Sequence, residues 1–187
     1  MTVEIRAWTQ DSPIGPLLVA TTPVGVCLVD WAMTAVSRVR LEASGDVVDE
    51  VEPVVSAAFD EYFGGSTAAL NDLAVDLRFA RGDFVLLVLR SLRRLPAGTT
   101  TSYGELAAAV GRHGAAQAVG QAVGSNPVPI IVPCHRVVSA DGSLGGFSGG
   151  LDKKRFLLAH EGFAALPGGW AVAGDAARRD GQMTLEF

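Results

Sequence analysis

Short apolar runs broken by turn signals open the chain. VEIRAWTQ at 3–10, GPLLVATT at 15–22 and VGVCLVDWA at 24–32 are strand-length and rich in β-branched residues. SPIG at 12–15 and TPVG at 22–25 separate them, so the pattern predicts an antiparallel meander. The period then changes. Val51, Val54, Val55, Ala58, Phe59 and Tyr62 recur at helical spacing, predicting a helix over 50–63 that stops at Gly64-Gly65-Ser66. NDLAVDLRF at 71–79 alternates again and reads as one more strand.

From Phe84 the pattern is helical. FVLLVLRSLRRL runs to Pro96-Ala97-Gly98. Ser102-Tyr103-Gly104-Glu105 has the form of a capping box, in which the serine and the glutamate satisfy each other's backbone N–H groups. LAAAVG continues that helix to a glycine stop. After a short turn, AAQAVGQAVG makes a second helix with little side-chain bulk, ending near Asn126-Pro127. Two short helices joined by a tight turn match a helix-turn-helix, although close helix packing alone accounts for the small residues equally well. IIVPCHRV at 130–137 follows, an apolar run that reads as a buried strand closed by a proline. ADGSLGGFSGGLDKKR then turns repeatedly over glycine, DKKRFLLAHEG predicts a last helix ending at Gly162, and the tail reads as loosely structured apart from the final MTLEF.

Charge sharpens this division. Residues 1–77 carry three basic and twelve acidic side chains, whereas residues 78–165 carry ten basic and five acidic. The expectation is an α+β chain: a small antiparallel sheet with a helix over 1–78, a mostly helical winged helix-turn-helix domain over 79–165, and a tail over 166–187. The basic half suits an anionic partner, and a solvated surface would look the same. No apolar run is long enough to span a membrane. The first residues are polar and acidic where a signal peptide would be apolar. A cytoplasmic, monomeric protein is therefore the expectation.

The chemistry gathers at Cys134. A cysteine nucleophile needs its thiolate, and a neighbouring imidazole can take the proton while a carboxylate orients the imidazole. His135 is adjacent, and Glu161 is the candidate carboxylate on the last helix. In an extended strand Cys134 and His135 would point to opposite faces. A turn after Pro133 would allow contact, directly or through water. A lone Cys–His pair can equally be two core residues. Two cysteines and three scattered histidines give no zinc-ligand spacing, so no metal or other cofactor is expected.

Residues 96 to 161 closely resemble the C-terminal domain of O6-alkylguanine-DNA alkyltransferases. The resemblance rests on Ser102-Tyr103-Gly104-Glu105-Leu106, Ala118-Val119-Gly120, Asn126-Pro127-Val128-Pro129-Ile130-Ile131, Pro133-Cys134-His135-Arg136-Val137 and Ser148-Gly149-Gly150-Leu151 with Lys153-Lys154-Arg155. Asp11-Ser12-Pro13-Ile14-Gly15-Pro16-Leu17 and Phe59-x-x-Tyr62-Phe63 extend it more weakly into the first half. It implies a protein that binds double-stranded DNA through its helix-turn-helix in the minor groove and flips O6-alkylguanine into a pocket. The alkyl group would pass once and irreversibly to Cys134.

The same resemblance assigns roles. Cys134 would attack, His135 would accept the thiol proton, Glu161 would orient His135, and Asn126 would hold the turn beneath the cysteine. Tyr103, Val137, Ser148 and Lys154 would serve the base pocket. Arg112, Gln117, Ala118, Gly120 and Arg136 would contact DNA. Some positions depart from the family pattern. Gln117 stands where an arginine finger is usual, Phe147 replaces a tyrosine, and Val85 and Leu89 replace Gln and Trp. The zinc ligands of some members are unmatched, which leaves Cys27 as a core thiol. Two alternatives stay open: a DNA-binding damage sensor with poor transfer, and an unrelated thiol hydrolase.

Overall fold

The computed structural model describes residues 2–31, 35–166 and 169–172. Strands β1 (Glu4–Gln10), β2 (Leu17–Thr22) and β3 (Gly25–Asp30) form the expected antiparallel meander. Helix α1 (Ala35–Glu42) then leads to strand β4 (Asp46–Asp49), which pairs parallel to β1, so the sheet runs β3-β2-β1-β4 and is mixed. Every residue of β2 is buried because both faces of the sheet are covered. Leu17 and Val19 join the main core, while Leu18 and Ala20 meet Cys27 and Leu41 on the other side.

Helix α2 (Pro53–Phe63) starts with a proline in its first turn and buries Val55, Ala58, Phe59 and Tyr62, the stripe expected from its periodicity. The segment 71–79 is not a strand. It makes a single bridge, Val75 to Val26, and Asp76 turns inward to accept from Thr22 and Arg78.

Helix α3 (Asp83–Leu92) is followed by a two-residue strand β5 (Thr101–Ser102) and by helices α4 (Tyr103–Ala109) and α5 (Ala116–Gly124). The capping box is present: the Glu105 N–H donates to Ser102 Oγ, and Ser102 N–H donates to Glu105. Leu106 and Ala107 of α4 and Val119, Ala122 and Val123 of α5 are buried in the same core as Phe59, Leu89 and Leu157. One apolar cluster therefore runs from the sheet through to the helices.

The apolar stretch before Cys134 is a tight turn, contrary to the strand expectation. Asn126 folds it: its amide donates to the Val132 carbonyl at 2.8 Å and its Oδ1 accepts from the Val128 N–H at 3.0 Å. The chain closes on itself through Val132 N–H to Val128 O at 2.9 Å. Ile130, at the apex, sits at φ 72°, a left-handed conformation that a β-branched residue adopts at a cost of about 1–3 kcal/mol. Cys134–Arg136 then form one 3₁₀ turn, and strand β6 (Val137–Val138) pairs parallel to β5.

Helix α6 (Leu151–His160) follows the glycine loop. Past residue 165 the described chain is still regular, contrary to the expectation of a loose tail. Strands β7 (Phe163–Leu166) and β8 (Gly169–Val172) make an antiparallel hairpin. The MTLEF segment lies outside the described residues. Among the described residues no helix is long and apolar enough to cross a membrane.

Candidate active site

Cys134 opens the 3₁₀ turn and is 4% exposed. Burial pushes its thiol pKa up. Hydrogen bonding from Asn126, the Lys154 charge and the N–H groups of Cys134 and His135 all act against that rise. Cys27 has no such set. Its thiol donates to the Ala20 carbonyl at 3.4 Å, and burial pushes it up to about 12. The two cysteines are comparably hidden, so their surroundings separate an activatable thiol from an inert one.

The 3₁₀ turn, unlike an extended strand, sends His135 and Arg136 inward together. His135 Nε2 lies 2.9 Å from Glu161 Oε1, both side chains fully buried. A carboxylate there requires Nε2 to carry the hydrogen, which leaves a lone pair on Nδ1. Nδ1 is the one buried side-chain polar atom among the described residues without a protein partner. Burial lowers the His135 pKa against the raising influence of Glu161, so the ring rests neutral and able to accept a proton.

Glu161 caps the C-terminal end of α6 and is the hub. Arg136 grips it twice, Nε to Oε2 at 2.8 Å and an Nη to Oε1 at 2.7 Å, and donates also to the Leu95 carbonyl. Tyr62 of α2 donates its hydroxyl to Oε1 at 2.9 Å. Burial works against the charged form, but His135 and then Arg136 hold the carboxyl well below its ordinary range. Arg136 is therefore no DNA contact. The residue that looked like a basic surface group is an interior counter-ion, because the 3₁₀ turn points it away from the surface.

Lys154 is fully buried. Its ammonium donates to the Val137 carbonyl at 2.5 Å, to the Leu144 carbonyl and to the Gly146 carbonyl at 3.4 Å. Burial lowers its pKa to about 8. It thereby pins the glycine loop from inside the fold. A cavity of about 270 Å³ lies against the thiol, lined by Tyr103, Gly120, Cys134, Gly146, Phe147 and Ser148 among others. That is close to the lower end of small-ligand sites, about 300–1,000 Å³. Tyr103, Gly120 and Ser148 thus line the same cavity as the thiol. Val137 and Lys154 do not line this cavity and shape it only through the loop. A larger groove of about 680 Å³, between β3 and α5, shares Gly124 and Ser148 with it but does not reach the thiol.

Arg112, Gln117 and Ala118 are exposed along the α4–α5 turn and the start of α5, and Gly120 is half-buried on the cavity side. The structure thus collects Cys134, His135, Glu161 and Asn126 in one place. Two contributors escaped the sequence reading. Tyr62 reads from the sequence as part of an apolar stripe and of the weaker, N-terminal part of the resemblance, with no role at the thiol. Arg93, just past α3, donates to the carbonyls of Leu70, Asn71, Leu73 and Ile131, tying the loop after α2 to the turn below Cys134. No group of three or more His, Cys, Asp or Glu side chains could hold a metal among the described residues.

A thiol beside a neutral, carboxylate-backed imidazole, on a cavity large enough for a small group, is equipped to take an alkyl or acyl group onto sulfur. Comparison narrows this. The family described as 6-O-methylguanine DNA methyltransferase, DNA binding domain, matches residues 83–163. A methylated-DNA–protein-cysteine methyltransferase of Mycolicibacterium paratuberculosis is 50% identical over 156 residues, covering 82% of this chain and 90% of its own. The corresponding protein of Mycobacterium leprae is 40% identical over 158 residues, with the same coverage of 82% and 90%. The crystal structure of Mycobacterium tuberculosis OGT in complex with DNA superimposes with a TM-score of 0.72 at 39% identity, covering 84% of this chain and 92% of that one. The chain belongs to the methylated-DNA–protein-cysteine methyltransferase family.

Proposed function

We propose that this protein repairs O6-alkylguanine in duplex DNA by moving the alkyl group onto Cys134. The observation that carries the reading is the line from Glu161 through His135 to an unpartnered Nδ1, in a chain whose Cys134 lines a base-sized cavity. The α4–α5 pair acts as a helix-turn-helix. Helix α5, built from Ala, Gly, Val and Gln, enters the minor groove, where its lack of bulk allows close backbone approach. Gln117, Arg112 and Ala118 face the DNA, and the damaged base turns out into the cavity.

The thiol proton passes to His135 Nδ1, bridged by a water, and Glu161 stabilises the imidazolium. Sγ attacks the alkyl carbon. The S–C bond forms as the C–O6 bond breaks, and the electron pair leaves on the guanine. Tyr103, whose pKa is raised chiefly by burial, keeps its proton until the departing base takes it up. The thioether that results has no leaving group, so each molecule reacts once. The reading takes the protein as a cytoplasmic monomer, with residues 79–165 carrying the chemistry.

The test is a duplex carrying labelled O6-methylguanine. Stoichiometric label on Cys134, lost in Cys134→Ser and kept in Cys27→Ser, supports the reading. Binding to the lesion without label would make the protein a sensor, and turnover on acyl esters without DNA would make it a hydrolase.

A further inference from the structure

Glu161 Oε1 accepts three hydrogen bonds, from His135 at 2.9 Å, Arg136 at 2.7 Å and Tyr62 at 2.9 Å. Two of these donors sit beside the thiol in sequence. The third comes from α2, 99 residues away, and is 1% exposed. We propose that Tyr62 is a positioning residue which, by sharing the charge of Glu161, sets the pH at which His135 takes the thiol proton. This rests on the relay proposed above and adds a residue from the first half of the chain to it.

The physical argument concerns one oxygen. When His135 becomes an imidazolium, its stability depends on the negative charge available at Oε1. Each further donor on that oxygen disperses charge and weakens the attraction. Tyr62 remains a donor throughout, because burial and the neighbouring carboxylate push its hydroxyl far above its usual pKa. Removing the hydroxyl alone leaves Oε1 with more charge for His135 and raises the proton affinity of the ring.

The other groups facing this pair are fixed in place. Arg136 and Cys134 come from the 3₁₀ turn, and Lys154 comes from α6 and disfavours a charged His135. Arg93 lies close enough to Arg136 to feel its charge. His160 packs against the Tyr62 ring in a tilted arrangement, centroids 4.9 Å apart, and has Nε2 2.6 Å from the Tyr62 carbonyl. Of these, Arg136 already donates to both oxygens of Glu161 alongside the Tyr62 hydroxyl.

The experiment uses the full chain and measures the second-order rate of transfer from an O6-methylguanine duplex between about pH 5 and 8, the span in which an imidazole titrates. In Tyr62→Phe the acid limb of the profile moves up by about half to one pH unit. The rate above the limb stays within about threefold, since the base itself is untouched. A parallel pair, Glu161→Gln and Glu161→Gln/Tyr62→Phe, closes a double-mutant cycle. If Tyr62 acts through Glu161, the double variant has the profile of Glu161→Gln alone. A Tyr62→Phe profile that superimposes on the native one, or a uniform loss at every pH that tracks a lower melting temperature, overturns the proposal while leaving the relay standing. A Glu161→Gln protein that transfers at the native rate overturns the relay, and this inference with it.

Discussion

Replacing Glu161 by glutamine changes one atom and disturbs four hydrogen bonds. Oε1 accepts from His135, Arg136 and Tyr62, and Oε2 accepts from Arg136 Nε at 2.8 Å. An amide keeps one acceptor oxygen. Whichever way it turns, an NH₂ faces at least one N–H or O–H donor, and the buried Arg136 guanidinium loses its counter-charge. Leaving one half of a buried ion pair uncompensated costs about 3–5 kcal/mol. For a chain of this length that corresponds to a fall in Tm of about 6–20 °C. Transfer loses the support of the imidazolium as well, and drops by about a hundredfold, at the low end of general-base effects.

The pH dependence carries a sign. The carboxyl is held below its ordinary value of 4.5 in the fold, so its stabilisation is complete above 4.5 and is lost as the pH falls through the folded value. Glutamine does not titrate. The gap in stability between the two proteins should therefore be constant from neutrality down to 4.5 and narrow as the solution is acidified below 4.5. Thermal melts at a series of pH values, with single-turnover rates at neutral pH, provide the measurement. A Tm within about 2 °C of the native one, or a gap that does not change with pH, would refute the assignment of Glu161 as the buried counter-charge.

Two further outcomes follow from other parts of the site. Gln117→Arg should speed transfer from duplex DNA by about one decade, because a charge-assisted hydrogen bond to the orphaned partner base replaces a neutral one, and should leave transfer from free O6-alkylguanine base unchanged; second-order rates of both proteins on both substrates decide it, and an equal gain on the free base would contradict a role in flipping. Gly145→Ala forces a Cβ to 3.0 Å from the Tyr103 hydroxyl and 3.2 Å from Ser139 Oγ at a φ of +63°, so it should cost about 1–2 kcal/mol in denaturant unfolding and slow transfer while leaving affinity for undamaged DNA intact.

Much of this was legible in the sequence where local chemistry decides the outcome. The meander, α2, the capping box of α4 and the Cys-His pair are set by periodicity, a serine three residues before a glutamate, and side-chain type. The misses have a common origin in long-range context. Helix α1 shows little apolar stripe, since Leu41 is the one large side chain it is seen to bury. DVVD at β4 is an edge strand of four residues, three of them exposed, which finds order only by lying beside β1. The stretch 128–132 has the composition of a strand, yet Asn126 captures both ends of it and bends Ile130 into a left-handed turn. The resemblance assigns Arg136 to DNA contact, yet its guanidinium is buried against a carboxylate 25 residues further on. Tyr62 carries its meaning in a hydroxyl that meets the site only after the chain has closed on itself.

Arg93 has a consequence for the order in which the molecule is made. Its guanidinium holds carbonyls from residues 70 to 73 together with that of Ile131, contacts that span 20 to 38 positions of chain. Contacts of such separation form late, after the loops between them have been closed at an entropic cost. The turn under Cys134 is therefore tied to residues 70–73 only once those loops have closed. In the order of synthesis Cys134 and His135 precede Glu161, so the imidazole has no carboxylate behind it until the last helix has been made. The relay proposed above is therefore assembled only in the folded molecule and not along the growing chain.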